Sequence, residues 1–374
     1  MGKYVHKFIT NSEYESFTNG ESYIEPFVSY TVEKDEVDYN PKHECYIPLT
    51  FEILSDGNIE FKSKSYSGAT WSLAYKKNNE NWSEQLDTFT ISVIRGDIVQ
   101  FKGINERLNT GLNSAKGFST TVSFNVYGNP MSLSYGEDLI GKTEALGSDF
   151  YKLFSGCSNL IDASRLILPI TNVTNSCYNE MFMNCRNLIA APELPATSVG
   201  VYSYGEMFSG CTSLATAPKL PATTLGDYCY YGMFNNCTSL TTTPELPATS
   251  LAPSCYNYMF GGCTGLTTTP ELPATTLVGS CYVSMFSGCT GLTTVPELPA
   301  TKLQMYCYEG MFRNCSSLNY IKAMFTTTPS TTYTKNWVSG VASTGTFVKN
   351  ANAAWTTTGV NGVPEGWTVE TASE

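Results

Sequence analysis

Apolar and polar positions follow two different rhythms along this chain. In the first third they alternate. Leu49-Thr-Phe51-Glu-Ile53, then Asp56-Gly57, then Ile59-Glu-Phe61 place every second side chain on one face and predict a hairpin. Further strands are predicted at 65–75, 88–95, 97–102 and 119–127, which together suggest a small β-sandwich over residues 45–136. From residue 137 the alternation gives way to a longer period. Phe154 recurs as Phe182, Phe208, Phe234, Phe260, Phe286 and Phe312, and after a first step of 28 every step is 26 residues. A cysteine follows each of these by three: Cys157, Cys185, Cys211, Cys237, Cys263, Cys289 and Cys315. A leucine follows three further on, from Leu160 to Leu318. Seven matches in register establish an internal repeat.

Within one unit, Cys229 and Met233 are four apart, as are Tyr230 and Phe234. That spacing predicts a helix over the first part of the unit. Asn236, or Gly210, Gly262 and Gly288 in other units, stands where such a helix would end. Leu240 to Leu246 is Thr-rich and reads as a short strand, limited by the missing N–H groups of Pro244 and Pro247. Leu-Pro-Ala-Thr at 194, 220, 246, 272 and 298 reads as the turn into the next unit, not as a sorting signal. One helix and one strand per unit, each burying its apolar set only against its neighbours, make a solenoid. The expected architecture is an α/β leucine-rich-repeat solenoid of about seven 26-residue units over 137–322, preceded by the sandwich. A β-rich cap follows over 323–374, with Trp337, Trp355 and Trp367 covering the open end.

Phe-x-x-Cys-x-x-Leu followed by an extended proline-bearing stretch resembles the BspA-like leucine-rich repeat, over residues 150–322. The longer variant here, with Glu-Leu-Pro-Ala-Thr and Cys-Tyr-x-x-Met-Phe, resembles proteins of gut Bacteroidales and their phages. The resemblance implies a surface protein that binds or adheres. Thr or Ala stands at the strand positions where the family usually has Ile (Ala217, Thr243, Thr269).

Charge refines this picture. The chain has 374 residues and a net charge of -11, which disfavours nucleic acid or anionic lipid as a partner. Twelve of its acidic residues, against four lysines, lie within residues 1–60. Residues 1–44 form an acidic arm, with Val28–Val32 as a candidate strand, and the arm is a candidate contact for homo-oligomer formation. No run of eighteen apolar residues suggests a membrane span, and the first residues lack the apolar core of a secretory signal.

Twelve of the thirteen cysteines lie in the repeats. Besides the column after Phe there is a second, Cys177, Cys229, Cys255, Cys281 and Cys307, interrupted by Ser203. Cys229 and Cys237 would lie ~12 Å apart on a helix, beyond the ~7 Å that a disulfide allows. Free, buried thiols acting as small apolar fillers are the expectation. Zinc is disfavoured, since there is no Cys-x-x-Cys and His6 and His43 lie outside the repeats.

Few residues suggest chemistry. No histidine-based triad, phosphate loop or dinucleotide fingerprint is present, so neither an enzyme nor a cofactor is expected. Arg95-Gly96-Asp97 spells an adhesion tripeptide but reads as turn chemistry. The sequons at Asn236 and Asn314 have a repeat cysteine as their middle residue. Glu193, Lys219, Glu245, Glu271 and Glu297 occupy equivalent positions and predict a solvated row, the candidate ligand face. Exposed tyrosines or Trp82 are an alternative, as stacking platforms for sugars. The expected function is non-enzymatic binding to a protein or glycan on a host or neighbouring cell surface. A virion or appendage fibre contacting a host is the alternative. Either role places the chain outside a cell, on a bacterial surface or a virion.

Overall fold

In the computed structural model the described residues are 47–63, 72–86, 88–105, 116–144 and 150–372. The acidic arm, Cys45 and both histidines lie outside them.

Eight strands build the amino-terminal part: β1 Leu49–Ile53, β2 Gly57–Ser63, β3 Ser72–Lys77, β4 Ser83–Leu86, β5 Phe89–Val93, β6 Ile98–Gly103, β7 Lys116–Thr120 and β8 Phe124–Gly128. A single turn of helix, α1 (Ser132–Tyr135), follows. One sheet runs β4-β3-β6-β1-β8 and ends on β9 (Leu160–Leu166), which belongs to the first coil of the solenoid. The other is β5-β2-β7. Phe51 of the first sheet meets Phe118 of the second at 4.8 Å, with Phe101 and Phe124 at 5.0 and 4.7 Å. This is a two-sheet sandwich with an aromatic core.

The hairpin predicted for β1 and β2 does not form. β1 pairs with β6 and β8, whereas β2 pairs with β5 and β7. Asp56-Gly57 is instead a corner that carries the chain from one sheet to the other. Leu54 N–H donates to Ser123 O and Asp56 accepts from Arg95 N–H at 2.8 Å, so the corner is tied to neighbouring strands rather than closed on itself. A Cβ on Gly57 would lie 2.7 Å from Thr121 Oγ1, which leaves no room for a larger residue. Local alternation reports which face is buried; it does not name the partner strand.

The repeats coil as a solenoid of 26-residue turns, but the segment read as a helix is not one. In Tyr228–Cys237 the odd-numbered N–H groups close successive β-turns: Tyr231 to Tyr228 O, Met233 to Tyr230 O, Asn235 to Gly232 O. The even-numbered ones donate to the next coil: Tyr230 to Cys255 O, Gly232 to Asn257 O, Phe234 to Met259 O, at 2.8–3.0 Å. Every fourth residue is left-handed, with φ 54° at Tyr228, 55° at Gly232 and 59° at Asn236. The run therefore repeats every four residues, two side chains in and two out. Cys229-Tyr230 and Met233-Phe234 face inward and are buried. Each backbone donor of the run is satisfied, half of them across coils, which locks neighbouring units in register.

The second half of the unit is extended. Pro244, Leu246 and Ala248 are buried while Glu245, Pro247 and Thr249 are exposed. Two prolines within four residues remove the donors that a continuous ladder needs. Only isolated bridges form there, such as Thr216 with Thr242. Short parallel pairs appear after the Leu-Pro-Ala-Thr turn, in β10 Asn172–Val173, β11 Ser198–Val199 and β12 Thr224–Leu225.

Two stacks of rings run the length of the coil. One goes from Phe154 to Phe312 with centroids 5.4–6.1 Å apart, and the other from Phe150 through Tyr178 to Tyr308 at 5.5–6.0 Å. Phe154 lies 5.9 Å from both Phe51 and Phe118, so the sandwich closes the first end. At the other end both stacks meet Trp337, 6.2 Å from Tyr308 and 6.0 Å from Phe312. Beyond the sequence period the ladder continues as parallel strands β13 Tyr320–Ala323, β14 Thr346–Lys349 and β15 Thr368–Thr371. The indoles of Trp337, Trp355 and Trp367 are buried and each donates to a backbone carbonyl, at 2.9, 3.2 and 2.7 Å.

Candidate ligand-binding faces of the solenoid

The twelve repeat cysteines are free and buried. Cys185, Cys211, Cys237, Cys263, Cys289 and Cys315 each donate Sγ–H to the carbonyl of a Phe one coil back, at 3.0–3.2 Å; Cys211, for example, donates to Phe182 O. That carbonyl also accepts from the N–H of the cysteine in its own coil, so each thiol fills a second lone pair. Phe182, Phe208, Phe234, Phe260, Phe286 and Phe312 are fully buried beside them. Ser203, which breaks the second cysteine column, is also fully buried and its hydroxyl donates to Gly200 O at 2.5 Å. Burial pushes eleven of the thiols up, Cys157 and Cys315 to about 12 and Cys307 to about 11. They stay protonated near neutral pH and are poor nucleophiles and poor metal ligands. Among the described residues no group of three His, Cys, Asp or Glu side chains is placed to hold a metal ion, and no helix is long and apolar enough to cross a membrane.

Two outer faces remain. On the extended side Glu193, Lys219, Glu245, Glu271 and Glu297 are all exposed. The Leu298–Ala323 bridge brings Lys322 to Glu297, at 2.7 Å, so the row ends in an ion pair. The hydrogen bond that Lys322 donates to Glu297, and then the carboxylate's charge, hold the ammonium above its usual pKa.

On the turn side a cluster gathers that the sequence reading did not assemble. Tyr202 and Tyr228 stack face to face at 4.7 Å. Tyr231 stands edge-on to both, at 6.4 and 6.2 Å, and to Tyr258 at 6.3 Å. Glu206 sits among them, half-buried. Its carboxyl is raised chiefly by burial and then by the charge of Glu180, against a smaller opposing effect of Lys152. Burial first, and then nearby charges that include Glu206, raise the phenols of Tyr202 and Tyr231. The residues come from three coils and three columns; other units hold mainly Ser, Gly or Asn at these positions but also Glu180, Val283, Tyr306 and Glu309, so the cluster is not a feature of every coil.

The remaining candidates are occupied structurally. Asp97 of the Arg-Gly-Asp tripeptide is buried; its carboxylate accepts from Asn78 Nδ2 at 2.8 Å and from Ile94 N–H at 3.0 Å. The tripeptide turns the chain from β5 in one sheet to β6 in the other. Trp82 lies under two lysines, with Lys102 Nζ 4.2 Å and Lys76 Nζ 5.3 Å from its ring centre.

Comparison with known proteins returned one family. The family model described as BspA type leucine rich repeat region matches residues 151–243 and 220–336, in six copies. No curated protein and no solved structure matches the chain. The matched residues coincide with the coils built on the Phe and Cys columns, and this part of the chain is a leucine-rich-repeat solenoid of the BspA type.

Proposed function

We propose that this chain is a non-enzymatic binding protein, exposed on a cell surface, whose solenoid offers an outer face to a protein or glycan of a host or neighbouring cell. The observation that carries the reading is the division of labour within each coil. The apolar residues, the thiols and the inter-coil backbone bonds are all used internally, while residues at fixed positions face water in aligned columns. Such a surface is rigid before it meets a ligand, which reduces the ordering cost of binding. The BspA-type match supports the reading.

The test is binding of the purified full chain to intact cells and to envelope protein and glycan fractions. A variant carrying Glu193→Lys, Glu245→Lys, Glu271→Lys and Glu297→Lys is run in parallel. Saturable binding to a surface fraction is expected. Its loss in the variant assigns the ligand to the extended side, and its persistence moves the ligand to another face. Absence of binding together with turnover of a glycan substrate would replace the reading with an enzymatic one.

A further inference from the structure

The turn side of the solenoid carries one small constellation three times, twice with its cation and once without. In the first coils, Lys152 Nζ lies 3.1 Å from Glu180 Oε2 and 5.0 Å from the centre of the Tyr151 ring. Near the far end, Lys335 Nζ lies 2.9 Å from Glu309 Oε1, with Tyr306 close enough to act on it electrostatically. Both are a lysine ammonium held by one carboxylate beside a tyrosine. Between them Glu206 stands beside Tyr202 and Tyr231, which contact Tyr228 and Tyr258. Among the described residues no basic side chain pairs with Glu206; Lys152, whose charge acts on it, is paired with Glu180.

Two glycines hold the carboxylate and the rings in close packing. Gly205 and Gly232 bear no side chain there. A Cβ on Gly205 would lie 3.1 Å from Asn179 Nδ2 and 3.5 Å from the Tyr202 ring, and one on Gly232 would lie 3.1 Å from Glu206 Cγ. The glycines thus let Asn179, Tyr202 and Glu206 pack closely against the neighbouring backbone.

We propose that this cluster binds an organic ammonium group from outside the chain, the lysine side chain of a partner protein. The ammonium is seated against Tyr202 and Tyr231, with Glu206 as its counter-ion. An ammonium meets both features together: ring faces attract a cation and the carboxylate neutralises it. A neutral sugar would use the rings and leave the Glu206 charge without a partner. The proposal rests on the binding reading above and gives it a site and a partner chemistry.

The experiment uses the full chain and four probes: N-acetyl-lysine methylamide, its Nε-acetylated form, choline chloride and methyl glucoside. Binding is followed by tyrosine fluorescence and NMR. Saturable binding of the lysine probe is expected, weakened about tenfold or more in Glu206→Gln and by added salt, and absent for the Nε-acetylated probe. No saturable binding of the lysine probe overturns the proposal. Preference for choline overturns the assignment to lysine. Methyl glucoside binding that persists in Glu206→Gln and is lost in Tyr202→Leu overturns it in favour of a sugar. Circular dichroism of both variants controls for folding. The two readings fail separately. Cell-surface binding that survives while the lysine probe does not bind sinks only the site. Lysine-probe binding without any cell-surface binding sinks only the broader function.

Discussion

Gly310 distinguishes a run of turns from a helix by the sign of one substitution. It occupies a left-handed position, φ 60°, in the middle of Cys307–Phe312. Were this segment an α-helix, Gly310→Ala would stabilise the chain by about 1 kcal/mol through helix propensity. In the turn run a Cβ at left-handed φ costs roughly 1–2 kcal/mol, offset by roughly 0.4–1 kcal/mol from the smaller freedom of the unfolded chain. The closest atom to the new Cβ would be Ser284 Oγ at 2.8 Å, the end of a side chain that can rotate. Equivalent positions in earlier coils hold Glu180, Glu206, Tyr258 and Ser284 at φ 49–57°, so the backbone accepts a side chain there. The expected outcome is a folded variant destabilised by about 1 kcal/mol in urea unfolding with an unchanged slope. A gain in stability of similar size would refute the turn geometry.

The other expectations concern the columns and the cap. Thiol titration of the native chain near neutral pH should find the twelve repeat cysteines unreactive, and denaturation without reductant should release all twelve; fewer would mean that disulfides form. Burial raises eleven of these thiols above their ordinary value of 9.0, so the folded chain resists an ionisation that the unfolded chain undergoes. Their stabilising contribution is complete below about pH 9 and is lost as pH rises towards 11–12, which an alkaline unfolding series would record. Trp337→Ala removes the ring on which both stacks end and should cost about 3–5 kcal/mol, with faster hydrogen exchange in β13 and β14 than in β10 and β11. Cys237→Ala forfeits the bond to Phe208 O and leaves a small void, for roughly 1–2 kcal/mol by urea unfolding; Cys237→Ser should recover part of it, as the hydroxyl of Ser203 does naturally.

The repeat was legible because 26 residues return the chain to the same place, and Phe, Cys and Leu do the same work in every coil. The helix was not, because a spacing of four is shared by a 3.6-residue helix and a four-residue turn run. The discriminating signal is phase. Cys229-Tyr230, Met233-Phe234 and Cys237 hold their inward direction without the drift a helix imposes, and residues tolerant of left-handed φ, Gly232 and Asn236, recur between them. In the sandwich, strand positions followed from alternation, but the partner of β1 depended on contacts far along the chain, with Phe124 and Val99 rather than Ile59. The acidic row could be read from the period alone. The tyrosine cluster could not, since it is made where units differ: Tyr202 and Tyr228 share one column, while Tyr231 and Glu206 occupy two others. Aligning the units and asking where large or charged residues gather at outward positions of neighbouring coils would have pointed to it.

The central claim is that the repeats stack by turn runs bonded coil to coil and thereby hold their outer residues in fixed columns. Far-ultraviolet circular dichroism of the full chain tests it most directly. Only one helix of four residues occurs among the described residues, so the account predicts a spectrum without the paired helical minima, lost cooperatively on heating. A strong helical double minimum, as one helix in each 26-residue unit would give, would contradict it.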